Sequence, residues 1–180
     1  MVKYSFDNSS KSFFNGLKGD IDAYFRNSNI HPAGNRRLYF KSILQVLLSA
    51  ALYCTLVFFT PPAWVSIILC IILGFNLAVI GFNVMHEGGH HAFSKYSWVN
   101  NFSSYFLNVL GGISYFWKIK HNVNHHTYTN VEGMDSDIDV KPFMRLHEGQ
   151  PWKPYHQYQY LYWIPLYGIS YLAWVFYEDF

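Results

Sequence analysis

Charged side chains are scarce in this sequence. Asp, Glu, Lys and Arg make up 13% of its 180 residues, whereas soluble domains carry about 25%. The net charge of +2 is too small to give the positive surface that binds nucleic acid, so no nucleic-acid partner is expected. A hydrophobic content of 51% excludes intrinsic disorder, and two cysteines exclude a disulfide-rich secreted scaffold.

The apolar residues are concentrated in long runs without charge. Residues 42–86 contain no Asp, Glu, Lys or Arg, and Pro61 and Pro62 divide this run near its middle. Since a bilayer span needs about 20 apolar residues, the run predicts transmembrane helices at about 38–59 and 63–85, joined by a helix-breaking hairpin. A third charge-free run, rich in Tyr and Trp as at a membrane interface, predicts a span at about 158–177.

Basic residues flank these runs unevenly. Seven of the 13 Lys and Arg residues lie within residues 1–41, the other six lie between Lys95 and Lys153, and the hairpin at 60–62 has none. By the positive-inside rule, this distribution places the N-terminus and the segment 86–157 in the cytoplasm. The sequence therefore predicts an integral membrane protein with most of its polar segments on the cytoplasmic side.

Two further segments predict interfacial helices. In the N-terminal segment, residues 1–37, apolar side chains recur at helical spacing from Phe13 to Phe25. They favour an amphipathic helix on the inner membrane surface, although a short helix packed on the rest of the chain fits the pattern equally well. Residues 96–117 predict a helix with one apolar face that lies in the interface or dips into the membrane.

The predicted fold class is all-α and integral to the membrane, with three transmembrane helices and additional interfacial amphipathic helices. Two asparagines, Asn76 and Asn83, lie within the second predicted span, and a structural role is favoured for Asn76. An amide side chain at that depth is expected to form a hydrogen bond to a neighbouring helix rather than to face lipid.

Six of the nine histidines fall into two clusters. Each cluster contains a pair four residues apart, which places both imidazoles on one face of a helix, and one further histidine. The clusters are His86, His90 and His91, and His121, His125 and His126. Imidazole binds iron, zinc, copper and nickel, and a zinc site takes at most four protein ligands. Five or six histidines therefore favour two metal ions.

Two other metal motifs match part of the chain. Residues 86–90 read H-E-G-G-H and fit the H-E-x-x-H pattern of zinc metalloproteases. This alternative is weakened by the second histidine cluster and by two glycines, which disfavour a helix. The acidic stretch 135–139 is not a calcium loop, because the sixth and twelfth positions of that loop require Gly and Glu but are Val140 and Leu146.

The two clusters resemble the histidine boxes of the membrane fatty acid desaturases, which are di-iron enzymes. His86-Glu87-Gly88-Gly89-His90 resembles the first box, H-D-x-x-H, with Glu in place of Asp, and residues 121–126 resemble the second, H-x-x-x-H-H. The stretch D-S-D-I at 135–138 resembles the acidic segment that follows. The resemblance is to the acyl-lipid and acyl-CoA branch that includes front-end desaturases. It covers about residues 36–180, so that 38–180 is a partial desaturase domain.

This resemblance implies a set of site residues. The iron ligands would be His86, His90, His121, His125 and His126. His91 lies outside the usual first box and is a weaker metal candidate. Glu87 and Asn83 lie close to the ligands on the helix and are candidates to orient the imidazoles.

The resemblance also implies a reaction. A desaturase uses two iron ions, O2 and electrons from ferredoxin or cytochrome b5 to introduce a cis double bond into a fatty acyl-CoA or acyl-lipid. A hydroxylase or ketolase with the same boxes is an alternative that spacing does not distinguish.

The third box of the family, H/Q-x-x-H-H after a fourth span, has no counterpart after His126, where His147 and His156 stand alone. The chain thus resembles the first half of a four-span desaturase and is expected to be inactive by itself. Truncation is the favoured explanation; a degenerate gene product or a second chain that completes the site are the alternatives.

Overall fold

The computed structural model describes residues 7, 9 and 11–178 and confirms the all-α prediction for them, since they contain helices and no β-strand. The α-helices are α1 (Ser12–Asn27), α2 (Arg36–Phe58), α3 (Ala63–Ile80), α4 (Glu87–Gly89), α5 (Ser97–Ser104), α6 (Phe106–Val109), α7 (Ser114–Lys118) and α8 (Gln159–Ala173). The π-helical segments are Gly81–His86, Ile119–His125 and Trp174–Glu178, and the 3-10 turns are Ser136–Ile138 and Pro154–Tyr158.

Two helices are long and apolar enough to cross a membrane. One is α2, and the other is the continuous helix Ala63–Gly89, in which a π-helical segment joins α3 to α4. Asn35 caps α2, since its side chain accepts hydrogen bonds from the backbone N–H groups of Arg37 and Leu38. Thr60, at a φ of 41°, and the two prolines that follow separate the helices. The second helix thus extends four residues beyond its predicted end at 85.

The predicted hydrogen bond of Asn76 is confirmed. This side chain is 8% exposed, and its amide nitrogen lies 2.7 Å from both the carbonyl oxygen of Gln45 and the hydroxyl of Ser49 on α2. Most other side chains of the two helices remain exposed, and they include large apolar ones such as Phe40 and Phe75. The helices therefore pair through these polar groups and through an apolar cluster in which side chains of α2 pack against Ile80 and Val84. They present the rest of their apolar surface outward, as a lipid-facing pair does.

The third predicted span corresponds to a less regular stretch. The 3-10 turn Pro154–Tyr158 leads into α8, which contains Pro165 and continues as the π-helical segment Trp174–Glu178. Among the described residues, α2 and Ala63–Gly89 are the two helices that meet the length and composition expected of a span. A third span and the four-span arrangement remain predictions.

The N-terminal amphipathic segment forms α1. None of its residues is buried, and its apolar side chains are exposed, with Phe13 at 80% and Phe14 at 65%. The helix is therefore not packed against the rest of the chain through this face. Its placement on the inner membrane surface remains a prediction.

The segment 96–117 is not the single helix that its pattern predicts. It contains α5, α6 and α7, with a break at Tyr105 and a turn in which Gly111 has a φ of 102°. This turn needs glycine, because other residues rarely adopt such a φ. The break lets the chain reverse and return towards the end of the second long helix.

The amphipathicity of α5 is inverted relative to a soluble helix. Asn100, Ser103 and Ser104 are 3%, 3% and 0% exposed, whereas Trp98 and Phe102 are 71% and 63% exposed. Asn100 bonds the turn before α5, accepting from the backbone N–H of Ser94 and donating to its carbonyl. The buried polar groups are thus satisfied within the protein, while the apolar side faces outward.

Two glycines allow α4 to lie directly against its neighbours. A Cβ atom at Gly88 would be 2.7 Å from the carbonyl oxygen of Asn100, the Cβ of Ser103 and the backbone nitrogen of Ser104. A Cβ at Gly89 would collide with the ring of Trp117. The absence of side chains here brings the first histidine cluster close to α5 and α7.

We expect Gly88→Ala to destabilise the protein by roughly 1–3 kcal/mol, the usual cost of overpacking, because the atoms in its way include the backbone of α5. The measurement is the midpoint of thermal unfolding of the purified protein in detergent. Gly74→Ala is the matched control, since a Cβ at Gly74 meets nothing within 4 Å and alanine favours the helix. Equal midpoints for the two variants would contradict the close packing of α4.

Candidate metal centre

Both histidine clusters lie on or beside π-helical segments. His86 ends the segment Gly81–His86, and His121 and His125 lie within Ile119–His125. A π-helical turn accommodates one residue more than an α-helical turn and shifts the direction of the side chains that follow; such turns are frequent at functional sites. The helix ending at Gly89 and the helix beginning at Ser114 thereby direct their imidazoles towards each other.

Four imidazoles from the two clusters converge. The Nε2 atom of His121 lies 3.1 Å from Nε2 of His86 and 3.3 Å from Nε2 of His126. The ring of His90 is centred 4.5 Å from that of His86 and 4.8 Å from that of His126. Donor atoms of His86, His90 and His121 all lie within 4.8 Å of one another.

These separations fit nitrogen ligands of a common metal ion. Two nitrogen atoms about 2.1 Å from one ion are about 3.0 Å apart at a right angle and about 3.4 Å apart at a tetrahedral angle. The two Nε2–Nε2 distances at His121 fall in this interval. A set of imidazole donors suits iron as well as zinc, copper and nickel.

His125 lies beside this group and has a different environment. Its ring stacks on that of His121, with centroids 5.3 Å apart and an interplanar angle of 16°. Its Nδ1 atom is 3.1 Å from both carboxylate oxygens of Asp135 and 3.3 Å from an oxygen of Asp137. These three residues form a second group of close donor atoms.

The other predicted site residues lie apart from the converging imidazoles. His91 is exposed at a φ of 57° and belongs to neither group of close donor atoms found among the described residues. The amide of Asn83 donates to the carbonyl of Val79 and accepts from Lys41 Nζ at 2.5 Å. The structure gives the Glu87 carboxylate no hydrogen bond to an imidazole within the described part of the chain.

Two residues of the site were not recognised in the sequence. Trp117 is 9% exposed, stacks on His121 with centroids 4.6 Å apart, and contacts His86 and His90 edge-on. The side chain of Asn122 donates to the carbonyl of Gly89 at 2.9 Å and links the two clusters. The position of Trp117 four residues before His121 was the available signal, because that spacing places both on one helix face.

The surroundings of His90 and His121 favour their neutral forms. Burial, followed by repulsion from the charged forms of His86 and His90, lowers the pKa of His121 from 6.5 to about 4. Burial and the same kind of repulsion also lower the pKa of His90. Neutral imidazole has the free lone pair that a metal ligand needs.

Comparison of the sequence with known protein families identifies the family of the chain that carries these histidines. The family model described as fatty acid desaturase matches residues 62–180, which include both histidine clusters. The chain belongs to the fatty acid desaturase family. This membership favours the desaturase interpretation of the H-E-G-G-H segment over a zinc protease.

Named relatives agree with this assignment. The chain is 36% identical to an sn-1 linoleoyl-lipid 6-desaturase of Arthrospira platensis over 83% of its own length and 41% of the relative's. It is 30% identical to an acyl-lipid (8-3)-desaturase of Physcomitrium patens over 97% of its own length and 37% of the relative's. The chain therefore spans about two fifths of these relatives. No solved structure matches it.

We expect His121→Ala to lower the amount of metal bound per chain, because His121 contributes the nitrogen that lies closest to two other imidazoles. The measurement is metal content of the protein purified in detergent. His91→Asn is the control, since asparagine tolerates a positive φ, and it should retain the metal. Equal loss in both variants would show that His91 belongs to the ligand set.

We also expect acid to destabilise the metal-free protein. Unfolded His121 takes up a proton near pH 6.5, but the folded residue does so only near pH 4. Between these values the unfolded state binds more protons, so stability falls as the pH is lowered. The thermal midpoint measured with chelator should therefore fall from pH 7.5 to pH 4.5, and fall less in His121→Gln. An equal fall in both proteins would contradict the lowered pKa.

Proposed function

We propose that this chain carries the first two histidine boxes of a membrane desaturase that acts on fatty acyl chains. The observation that carries the proposal is the convergence of imidazole nitrogens from His86, His121 and His126 in a chain that belongs to the desaturase family. The names of the relatives indicate acyl-lipid substrates, and acyl-CoA is the alternative carrier.

The proposed ligand set comprises His86, His90, His121, His125 and His126, with His91 as a neighbour. These residues would hold iron, and two iron ions would supply the activation of O2. The protein's own contribution is to keep His90 and His121 neutral by partial burial and to fix the imidazoles through Trp117 and through the Asn122–Gly89 hydrogen bond. Because the donor nitrogens are already held in place, less conformational entropy is lost when metal binds.

The proposed reaction is an O2-dependent desaturation. Two hydrogens leave adjacent methylene carbons of the acyl chain and a cis double bond forms. O2 takes up these hydrogens together with two electrons and two protons, and two molecules of water result. Ferredoxin or cytochrome b5 is the proposed electron donor. The outward apolar face of α5, a helix that packs directly against α4, offers a surface along which an acyl chain can approach the site.

The proposed topology has three spans within these residues, at α2, Ala63–Gly89 and the α8 region, with the N-terminus and the histidine boxes on the cytoplasmic side. This orientation is supported by the distribution of Lys and Arg, which are absent from the hairpin at 60–62. A fourth span and a third histidine box would complete the iron site. The 180 residues alone are proposed to be inactive.

Expression in a host that lacks the corresponding unsaturated lipids tests this function. We expect a longer frame, in which these residues are followed by the C-terminal part of a desaturase relative, to produce a new cis-unsaturated fatty acid, identified by mass spectrometry of the methyl esters. We expect the 180-residue chain alone to produce none, because it supplies part of the ligand set. His121→Ala in the longer frame should abolish the product.

Controls separate the alternatives. Gly74→Ala in the longer frame should leave the product level unchanged and shows that expression supports activity. A hydroxylated or keto fatty acid as the principal product would replace the desaturase proposal by a related oxygenase. Zinc without iron in the active protein would contradict the iron site itself.

A further inference from the structure

The second histidine cluster is joined to a buried carboxylate that lies outside both histidine boxes. Asp135, ten residues after His125, is 1% exposed. Burying a carboxylate is unfavourable unless hydrogen bonds compensate for the lost water. The partners of Asp135 therefore show what this buried charge does.

Backbone donors fix the orientation of the Asp135 carboxylate. Its Oδ2 accepts from the N–H of Asn130 at 2.8 Å, and its Oδ1 accepts from the N–H of Asp137 at 3.0 Å. Both oxygens are also 3.1 Å from Nδ1 of His125. The carboxylate is thus held on two sides by the main chain and presents both oxygens to one ring nitrogen.

The loop that carries Asp135 is itself anchored. The side chain of Gln150, 3% exposed, donates to the carbonyl of Ile138 and accepts from the backbone N–H of Leu146, each at 2.7 Å. These bonds connect the turn Ser136–Ile138 to the segment that leads into α8. The position of Asp135 is therefore set by residues far along the chain from His125.

An alternative is that Asp135 binds a metal ion directly, together with His125 and Asp137. The hydrogen bonds argue against it, because each oxygen already accepts a backbone N–H in addition to facing the ring nitrogen. Direct binding would also require Nδ1 of His125 to be unprotonated, which would leave the short contacts between Nδ1 and both oxygens without a shared proton. The contacts instead fit a protonated Nδ1 of His125 that directs its N–H at the carboxylate of Asp135.

We propose that Asp135 is a positioning residue that fixes His125 as the tautomer protonated at Nδ1, so that Nε2 is the nitrogen left free to bind metal. This inference rests on the proposed function, in which His125 is an iron ligand. Carboxylates that accept the second N–H of a metal-bound histidine fix its ring orientation, and their loss typically costs 10–100-fold in metal affinity.

The first test reads the tautomer without metal or activity. The complete protein is labelled with ¹⁵N-histidine and reconstituted in lipid, and the ring nitrogens of His125 are assigned by comparison with His125→Gln. We expect His125 to carry its proton at Nδ1 in the metal-free wild-type protein. A proton at Nε2 would overturn the proposal, whether or not the protein binds iron.

The second test compares Asp135→Asn with Asp139→Asn. Asp139 is the matched control, because it lies on the same loop but its carboxylate pairs with Lys141 at 3.2 Å. We expect Asp135→Asn to weaken Fe²⁺ binding about 10–100-fold, measured anaerobically against a coloured chelator, with the number of ions per chain unchanged. Asp139→Asn should bind Fe²⁺ as the wild type does.

The outcomes separate this proposal from the proposed function. Loss of a whole ion per chain in Asp135→Asn, with the remaining affinity unchanged, would make Asp135 a ligand and overturn the positioning role. Unchanged affinity in Asp135→Asn would overturn it as well. A wild-type protein with the Nδ1 proton but without Fe²⁺ binding would support the Asp135–His125 contact and contradict the iron site. If Asp135→Asn does not fold, the wild-type tautomer still decides the question.

Discussion

The arrangement of this site depends on a backbone contact between α4 and α5. Gly88 lies against the carbonyl of Asn100 and the main chain of Ser104 with no room for a side chain, and Gly89 lies against the ring of Trp117. Because α4 follows His86 directly and ends one residue before His90, any separation of these helices would move the first histidine pair away from the second. The glycines weaken the helix locally, yet they permit the approach on which the convergence of the imidazoles depends.

A second constraint is the change of helical phase at both clusters. If the two π-helical segments were α-helical instead, the side chains after Ile80 and after Lys118 would point in other directions. The π-helical segments and the stacked ring of Trp117 together give His121 its two close nitrogen neighbours. The same segment carries Asn122, whose bond to Gly89 ties the two helices at the level of the site. Packing and metal-binding geometry are therefore specified by the same short stretches.

The features that the sequence made predictable are the ones encoded locally. Long charge-free runs, the Pro61-Pro62 break and histidines four residues apart depend only on near neighbours along the chain, and they indicated α2, the second long helix and the two clusters. The break of 96–117 was not predicted, because hydropathy gives no sign of the reversal at Gly111. The contact between Asp135 and His125 was also missed: it requires a folded loop, and no spacing rule relates residues ten positions apart in a turn.

The inverted polarity of α5 affects how sequence variation in this protein should be interpreted. Scales that rank substitutions by hydrophobicity assume that apolar residues are the buried and intolerant ones. Here Ser103 and Ser104 are buried while Trp98 and Phe102 are exposed, so the assumption has the wrong sign over this helix. Among natural homologues, small polar residues should vary least on the inner side, and bulky apolar residues should exchange freely with one another on the outer side. A profile built on soluble proteins would assign the invariant and the variable faces of this helix in reverse.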